Sequence, residues 1–247
     1  MDVRGKCVIY IGGFGGIGRK CIEELLKKEI AHLFIFDLAT NDIYLSKLQK
    51  EFPNSIIEYV RVDMSMVETI KDAYKVVMDK TGGIDIVVNG SGILNERLID
   101  LTVAINLTGV IHSNLIALNH MSKAKGGRGG LVVNIASLAG LENMPMTAVY
   151  GATKSGVINF TKSMAAYYEC SGVNFIAVCP GATITPIVAD LASKSTFPEY
   201  CEAILKTLGK QSVQTAEQCA QAFMKIVETA DNGTIWTVLG GNFEKVN

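Results

Sequence analysis

The apolar run Cys7-Val-Ile-Tyr-Ile11 ends in Gly12-Gly-Phe-Gly-Gly-Ile-Gly18, after which Cys21-Ile-Glu-Glu-Leu-Leu26 carries apolar residues at helical spacing. No other stretch limits the fold as tightly. A strand that breaks into a glycine turn and re-enters as a helix brings main-chain amides and a helix N-terminus to one point, where the macrodipole favours a pyrophosphate. Glycine clusters also make ordinary loops, so the strand before and the helix after give this turn its weight. Both Gly13-x-Gly15-x-x-Gly18 and the wider Gly12-x-x-x-Gly16-x-Gly18 fit.

The rest of the chain repeats the alternation. His32-Leu-Phe-Ile-Phe36 reads as a second strand ending in Asp37, Ile56 to Val62 as a third leading to Asp63, and Asp85-Ile-Val-Val-Asn89 as the start of a fourth. Leu131-Val-Val-Asn-Ile135, Val173-Asn-Phe-Ile-Ala-Val178 and Gly233-Thr-Ile-Trp-Thr-Val238 complete the set. Helices are expected at Val67 to Met78, Leu98 to Ser122, Val149 to Tyr168 and Thr215 to Val227. This order predicts one α/β domain over 1–247, a Rossmann-like doubly wound parallel sheet of about seven strands with helices on both faces and the ligand at the switch point. A length of 247 residues suits a single core of that kind. From about 186 to 212 the pattern loosens, with Val188, Leu191 and Phe197 among polar residues, as either a lid over an apolar substrate or an inert surface excursion would read.

A formal charge of -1 leaves no electrostatic footprint for nucleic acid or an anionic membrane, so the expected partner is a small molecule. The six cysteines form no C-x-x-C pair and the three histidines do not cluster, so buried thiols and no metal site are expected. No charged and apolar leader precedes the first strand and no unbroken apolar run reaches about 18 residues, which points to a cytoplasmic protein without a membrane span.

Tyr150 and Lys154 stand one helical turn apart, which places their Cβ atoms about 5–6 Å from each other. Drawing a tyrosine from near 10 to about 7 takes roughly 4 kcal/mol. One ammonium at ~4 Å in an effective dielectric of ~20 supplies about that much, so the pair is expected to work as a metal-free general base near neutral pH. A Tyr-x-x-x-Lys spacing also occurs on ordinary amphipathic helices with a solvated lysine. Here the fifth strand delivers Ser137 just ahead of it, and the glycine turn opens the chain. Asp37 can accept from both adenine-ribose hydroxyls of NAD and repel a 2′-phosphate, or simply serve as a turn residue, and Arg19 and Lys20 nearby are either solvated or part of that choice.

In combination these residues resemble the short-chain dehydrogenase/reductase family over nearly the whole chain. Asn89-Gly-Ser-Gly92 is similar to its Asn-Asn-Ala-Gly turn, with Val88 and Ser91 as departures, and Pro180-Gly-Ala-Thr-Ile-Thr185 resembles its Pro-Gly-x-x-x-Thr segment. The glycine turn, Asn-Gly-Ser-Gly and the closing Asn-Gly-Thr-Ile-Trp look like the fly-type alcohol dehydrogenase branch with its fat-body relatives. Leu131 to Leu141 and Tyr150-x-x-x-Lys154 are also similar to 15-hydroxyprostaglandin dehydrogenase. Ile11 stands where most of the family has threonine.

The resemblance implies that Gly12, Gly13, Gly15, Gly16, Ile17 and Gly18 hold the dinucleotide, with Asp37 on the ribose. Asp63 would contact the adenine region, or cap the helix after it. Asn89, Gly90 and Gly92 would border the adenosine side, and Pro180, Gly181 and Thr185 the nicotinamide. Tyr150 would take the alcohol proton, Lys154 tune it and bind the nicotinamide ribose, and Ser137 orient the carbinol oxygen. Asn106 would link the lysine to a water chain or be structural. The implied protein is an NAD-dependent, metal-independent dehydrogenase of an apolar secondary alcohol, a homodimer pairing through the helices at Leu98–Ser122 and Tyr150–Tyr168. A hydroxy-lipid or steroid substrate is the alternative, and a weakly active cofactor-binding storage or developmental protein is a second.

Overall fold

Eight strands form one sheet in the order β3-β2-β1-β4-β5-β6-β7-β8 in the computed structural model, which describes residues 1–207 and 212–246. The strands β1 (Cys7–Ile11), β2 (His32–Asp37), β3 (Ile56–Arg61), β4 (Ile86–Asn89), β5 (Gly130–Ile135), β6 (Val173–Pro180) and β7 (Ile235–Leu239) run parallel, and β8 (Asn242–Lys245) pairs antiparallel with β7. The helices are α1 (Gly16–Lys27), α2 (Asp42–Glu51), α3 (Val67–Thr81), α4 (Ile99–Val103), α5 (Val110–Met121), α6 (Ala148–Met164), α7 (Tyr168–Ser171), α8 (Leu191–Lys194), α9 (Cys201–Thr207) and α10 (Ala216–Thr229).

Helices cover both faces, which is why the strands are apolar throughout instead of alternating. From β1, Val8 and Tyr10 point into the core shared with α1, α2 and α10, while Ile9 and Ile11 point into the core shared with α3, α5 and the end of α6. The expected doubly wound sheet is therefore present, and β1 and β4 meet at its switch point.

Five details differ from expectation. An eighth strand follows the seventh across Gly240 and Gly241, whose φ values of 57° and 82° suit the tight turns that join antiparallel strands. Helix α2 went unread because it buries only Tyr44 and Leu48, too thin a stripe to show a period. The helix expected over Leu98–Ser122 contains a π segment, Ala104–Gly109, and the one expected to Tyr168 leaves α geometry after Met164. Cys170 is exposed, against five buried thiols. The loose segment holds single turns at Pro186–Val188 and Pro198–Tyr200 with α8 and α9, and residues 208–211 of the expected lid lie outside the described residues. The run Ile99–Met121 is long and apolar enough by composition to cross a membrane, and here Ala117 and Met121 pack against the sheet.

Candidate active site

Every residue singled out above lies at or beyond the carboxyl end of a strand or on the helices that follow. Gly12 has φ 79°, its N–H donates to the Phe36 carbonyl at 2.7 Å, and a Cβ there would lie 2.7 Å from the Ser91 backbone. Only glycine fits between the ends of β1, β2 and β4. A Cβ on Gly16 would lie 2.6 Å from the Thr185 methyl, so the glycine turn and the segment after β6 close on each other. A Cβ on Gly18 would run into the Gly12 carbonyl oxygen. Helix α1 begins without an acidic residue in its first turn and without a side-chain cap on Gly15. Its leading amides, around Gly16, Ile17 and Gly18, are thus available to an anion, which fits a dinucleotide pyrophosphate.

Asp37 ends β2 with both oxygens held, Oδ2 by the Phe14 N–H at 2.9 Å and Oδ1 by the Leu38 N–H at 2.8 Å. The carboxylate is thus fixed at the mouth of the glycine turn. Neither neighbouring cation is free: Arg19 lies over the Tyr44 ring at 5.0 Å and donates to the Phe14 carbonyl, and Lys20 pairs with Glu23 and Glu217. Asp63 does not cap α3, whose N-cap is Met66; its Oδ1 accepts from the Ser65 N–H and hydroxyl, which hold the carboxyl below its usual range. The Asn89 side chain turns inward, donating to Asn134 and accepting from Ser113, so its contribution to the crevice is its main chain beside Gly90. Pro180 ends β6 buried, and the Gly181 N–H donates to the Val238 carbonyl at 2.9 Å.

The chemistry gathers where β5 ends. Ser137 follows β5, its hydroxyl accepting from the Ala139 N–H and lying near enough to the Tyr150 phenol to favour its charged form. Lys154, one turn along α6, is 4% exposed, lies 5.6 Å from the centre of the Tyr150 ring and donates to the Ile135 carbonyl at 2.8 Å. A Cβ on Gly92 would lie 3.4 Å from Lys154 Nζ and 3.3 Å from Asn106 Oδ1, so these two groups face one glycine. Asn106 is fully buried in the π segment, accepting from the Ile93 N–H and donating to the Ile93 carbonyl. A π turn adds a residue to the helix and redirects its face, a device common at functional sites.

The expected phenol near 7 is not found. Burial pushes Tyr150 up to about 12, with the nearby Ser137 hydroxyl acting against it, and burial brings Lys154 down to about 8. Spacing along a helix fixes where two Cβ atoms stand, but desolvation of the charged forms outweighs the charge at that spacing. Two residues of the site carry no sequence motif. Cys179 is fully buried before Pro180, and burial raises its thiol to about 12, with the nearby Ser137 main chain and Lys154 acting against it. Glu96, 2% exposed, accepts the N–H groups of Val149 at 2.7 Å and Tyr150 at 2.9 Å. The one available signal was negative: the first turn of α6 has no acid of its own.

A glycine turn on an open helix end, an aspartate on the second strand and a Ser-Tyr-Lys cluster after the fifth define a dinucleotide-dependent oxidoreductase. Residues 6–196 match the short chain dehydrogenase family, and the chain belongs to that family. It is 38% identical over 248 residues to Alcohol dehydrogenase 1 of Ceratitis cosyra, across 100% of this chain and 96% of that one. It is 33% identical over 248 residues to Fat body protein 2 of Drosophila melanogaster, with the same coverage of 100% and 96%. A short chain dehydrogenase from Burkholderia cenocepacia, solved in complex with NADP, superposes with a TM-score of 0.79 at 21% identity, covering 98% of this chain and 99% of the other. At that identity the likeness is one of fold.

Proposed function

We propose that the protein is an NAD-dependent dehydrogenase that oxidises an apolar secondary alcohol, without a metal. The observation that carries this reading is the gathering of Ser137, Tyr150 and Lys154 after β5, with Lys154 Nζ 5.6 Å from the centre of the Tyr150 ring. Ser137 orients the carbinol oxygen, Tyr150 receives its proton, and Lys154 favours the tyrosinate by its charge and offers donors to a ribose. Gly12 to Gly18, Asp37, Gly90, Gly92, Gly181 and Thr185 are the residues that would hold the dinucleotide, which when bound supplies the hydride acceptor. Asp37 favours NAD, because a 2′-phosphate would bring two negative groups together in a partly desolvated cleft. Each ~1.4 kcal/mol is tenfold, so a preference on the order of a hundredfold follows.

The test is NADH absorbance with a panel of secondary alcohols, run beside NADP and with the Asp37→Asn variant. NADH should appear with apolar alcohols, and Asp37→Asn should narrow the NAD to NADP ratio of kcat/KM. No turnover with any alcohol refutes the reaction, and an unmoved ratio removes Asp37 from the cofactor choice.

Exposed Ile184, Val188, Phe197 and Tyr200 around the lid favour a bulky substrate, of hydroxy-lipid or steroid type, over a small alkanol. The second reading, a cofactor-binding protein of little turnover, draws on the phenol held up at about 12 and on the similarity to Fat body protein 2. A homodimer is part of the proposal, because Leu98, Ile99, Leu101, Val103 and Leu115 leave apolar surface on the helical run from α4 to α5. Light scattering that gives the 26.6 kDa monomer mass refutes it. A cytoplasmic location, with neither nucleic acid nor membrane as partner, completes the reading.

A further inference from the structure

Glu96 lies in the irregular stretch between β4 and α4, far in sequence from the helix it serves. The residues it caps, Val149 and Tyr150, are the second and third of α6, whose N-cap Thr147 makes no side-chain capping bond. The first amides of a helix have no partner inside it and form the positive end of its dipole. One buried carboxylate therefore supplies both the missing acceptors and the matching charge. The main chain of the same residue holds the lid: its N–H donates to the Lys194 carbonyl at 2.9 Å, and its carbonyl accepts from the Thr196 hydroxyl at 3.3 Å. Asn95, next to it, ties the loop to α4 by accepting from the Thr102 hydroxyl at 2.8 Å, and its side chain holds the Arg97 N–H.

We propose that Glu96 is a positioning residue that couples the lid, at Lys194 to Thr196, to the placement of Tyr150 at the start of α6. Its side chain grips the turn that carries the phenol while its backbone grips the segment from Lys194 to Thr196. Movement of the lid is thus transmitted to the proton acceptor through one residue. This inference rests on the reading of Tyr150 as that acceptor.

The test combines hydrogen exchange, followed by mass spectrometry on peptides covering Val149–Tyr150 and Lys194–Thr196, with steady-state kinetics. The variants are Glu96→Gln, Glu96→Asp, Thr196→Val and Tyr150→Phe. Glu96→Gln keeps the size but offers one acceptor and no charge; it should speed exchange in both peptides and lower kcat about tenfold or more, leaving the Kd for NAD within about twofold. Glu96→Asp should recover part of kcat. Thr196→Val touches only the lid, yet it should speed exchange at Val149 and Tyr150 by about two- to fivefold, the worth of one hydrogen bond. It also carries the test alone if Glu96→Gln does not fold. Exchange in the α6 peptide that ignores Thr196→Val, or a Glu96→Gln variant with lowered Tm and unchanged kcat, overturns the coupling. A Tyr150→Phe enzyme with full activity refutes the acceptor reading instead, and leaves the exchange result to stand or fall by itself.

Discussion

Lys154 and Tyr150 are costly residues to keep where they are, and the signs of their shifts say how the cost varies with pH. Lys154 titrates at about 8 in the fold, against 10.5 for a solvated lysine. Between those values the unfolded chain binds more protons, so stability rises with pH across that window, and below about pH 8 the full penalty, of order 3 kcal/mol, is present. Tyr150 works in the opposite sense: raised from 10.0 to about 12 by burial, it costs the fold nothing while neutral below pH 10, and stability falls as pH rises from 10 toward 12. Lys154→Met should therefore raise Tm by several degrees below about pH 8 and flatten the pH dependence above it, while abolishing turnover. Thermal melts over a pH series, beside activity, check this; a lower Tm at every pH refutes it. Ser137→Ala removes the neighbouring hydroxyl that draws the phenol down, so any alkaline rise in kcat/KM should move to higher pH. A profile that keeps its midpoint shows that Ser137 does not tune Tyr150.

At the scale of elements, the glycine turn is the tightest joint. Gly12→Ala puts an L-residue at φ 79° against the Ser91 backbone, which costs roughly 1–2 kcal/mol for the conformation alone and more for the clash. Melts should show that loss, and titration calorimetry should show NAD affinity down at least about tenfold; normal affinity contradicts the proposed phosphate site. This joint was legible because strand, glycines and helix are contiguous, and so were the parallel strands, whose apolar runs need no long-range information. What stayed hidden depends on distant partners or weak stripes. Glu96 acts on residues more than fifty positions later and has no motif. Gln214, which links Ala182, Thr183, Ile184, Val238 and Gly241 through hydrogen bonds, reads in sequence as one polar residue after an unpatterned loop. The π segment around Asn106 has the composition of any helix. The phenol's pKa was misjudged for the same reason: spacing is local, and desolvation is set by everything packed around it.

For the whole molecule, strand order separates two tasks. The ends of β1 to β6 carry the proposed cofactor site, and the segment from Pro186 to Thr207 adds no strand to the sheet. The far edge has a different duty. β8 runs against its neighbours and shows Asn242, Glu244 and Lys245 to solvent, with only Phe243 turned toward Trp236. Charged side chains on a short terminal strand discourage a further strand from adding on. Removing 242–246 would expose Trp236 and Val238 on the edge of β7 while leaving every crevice residue in place. Such a shortened protein should still bind NAD at low concentration, yet form larger particles as concentration rises, by scattering and sedimentation. If it stays dispersed, β8 has no protective duty. If it does not, five residues that take no part in the chemistry decide how much of the protein a cell can keep in solution.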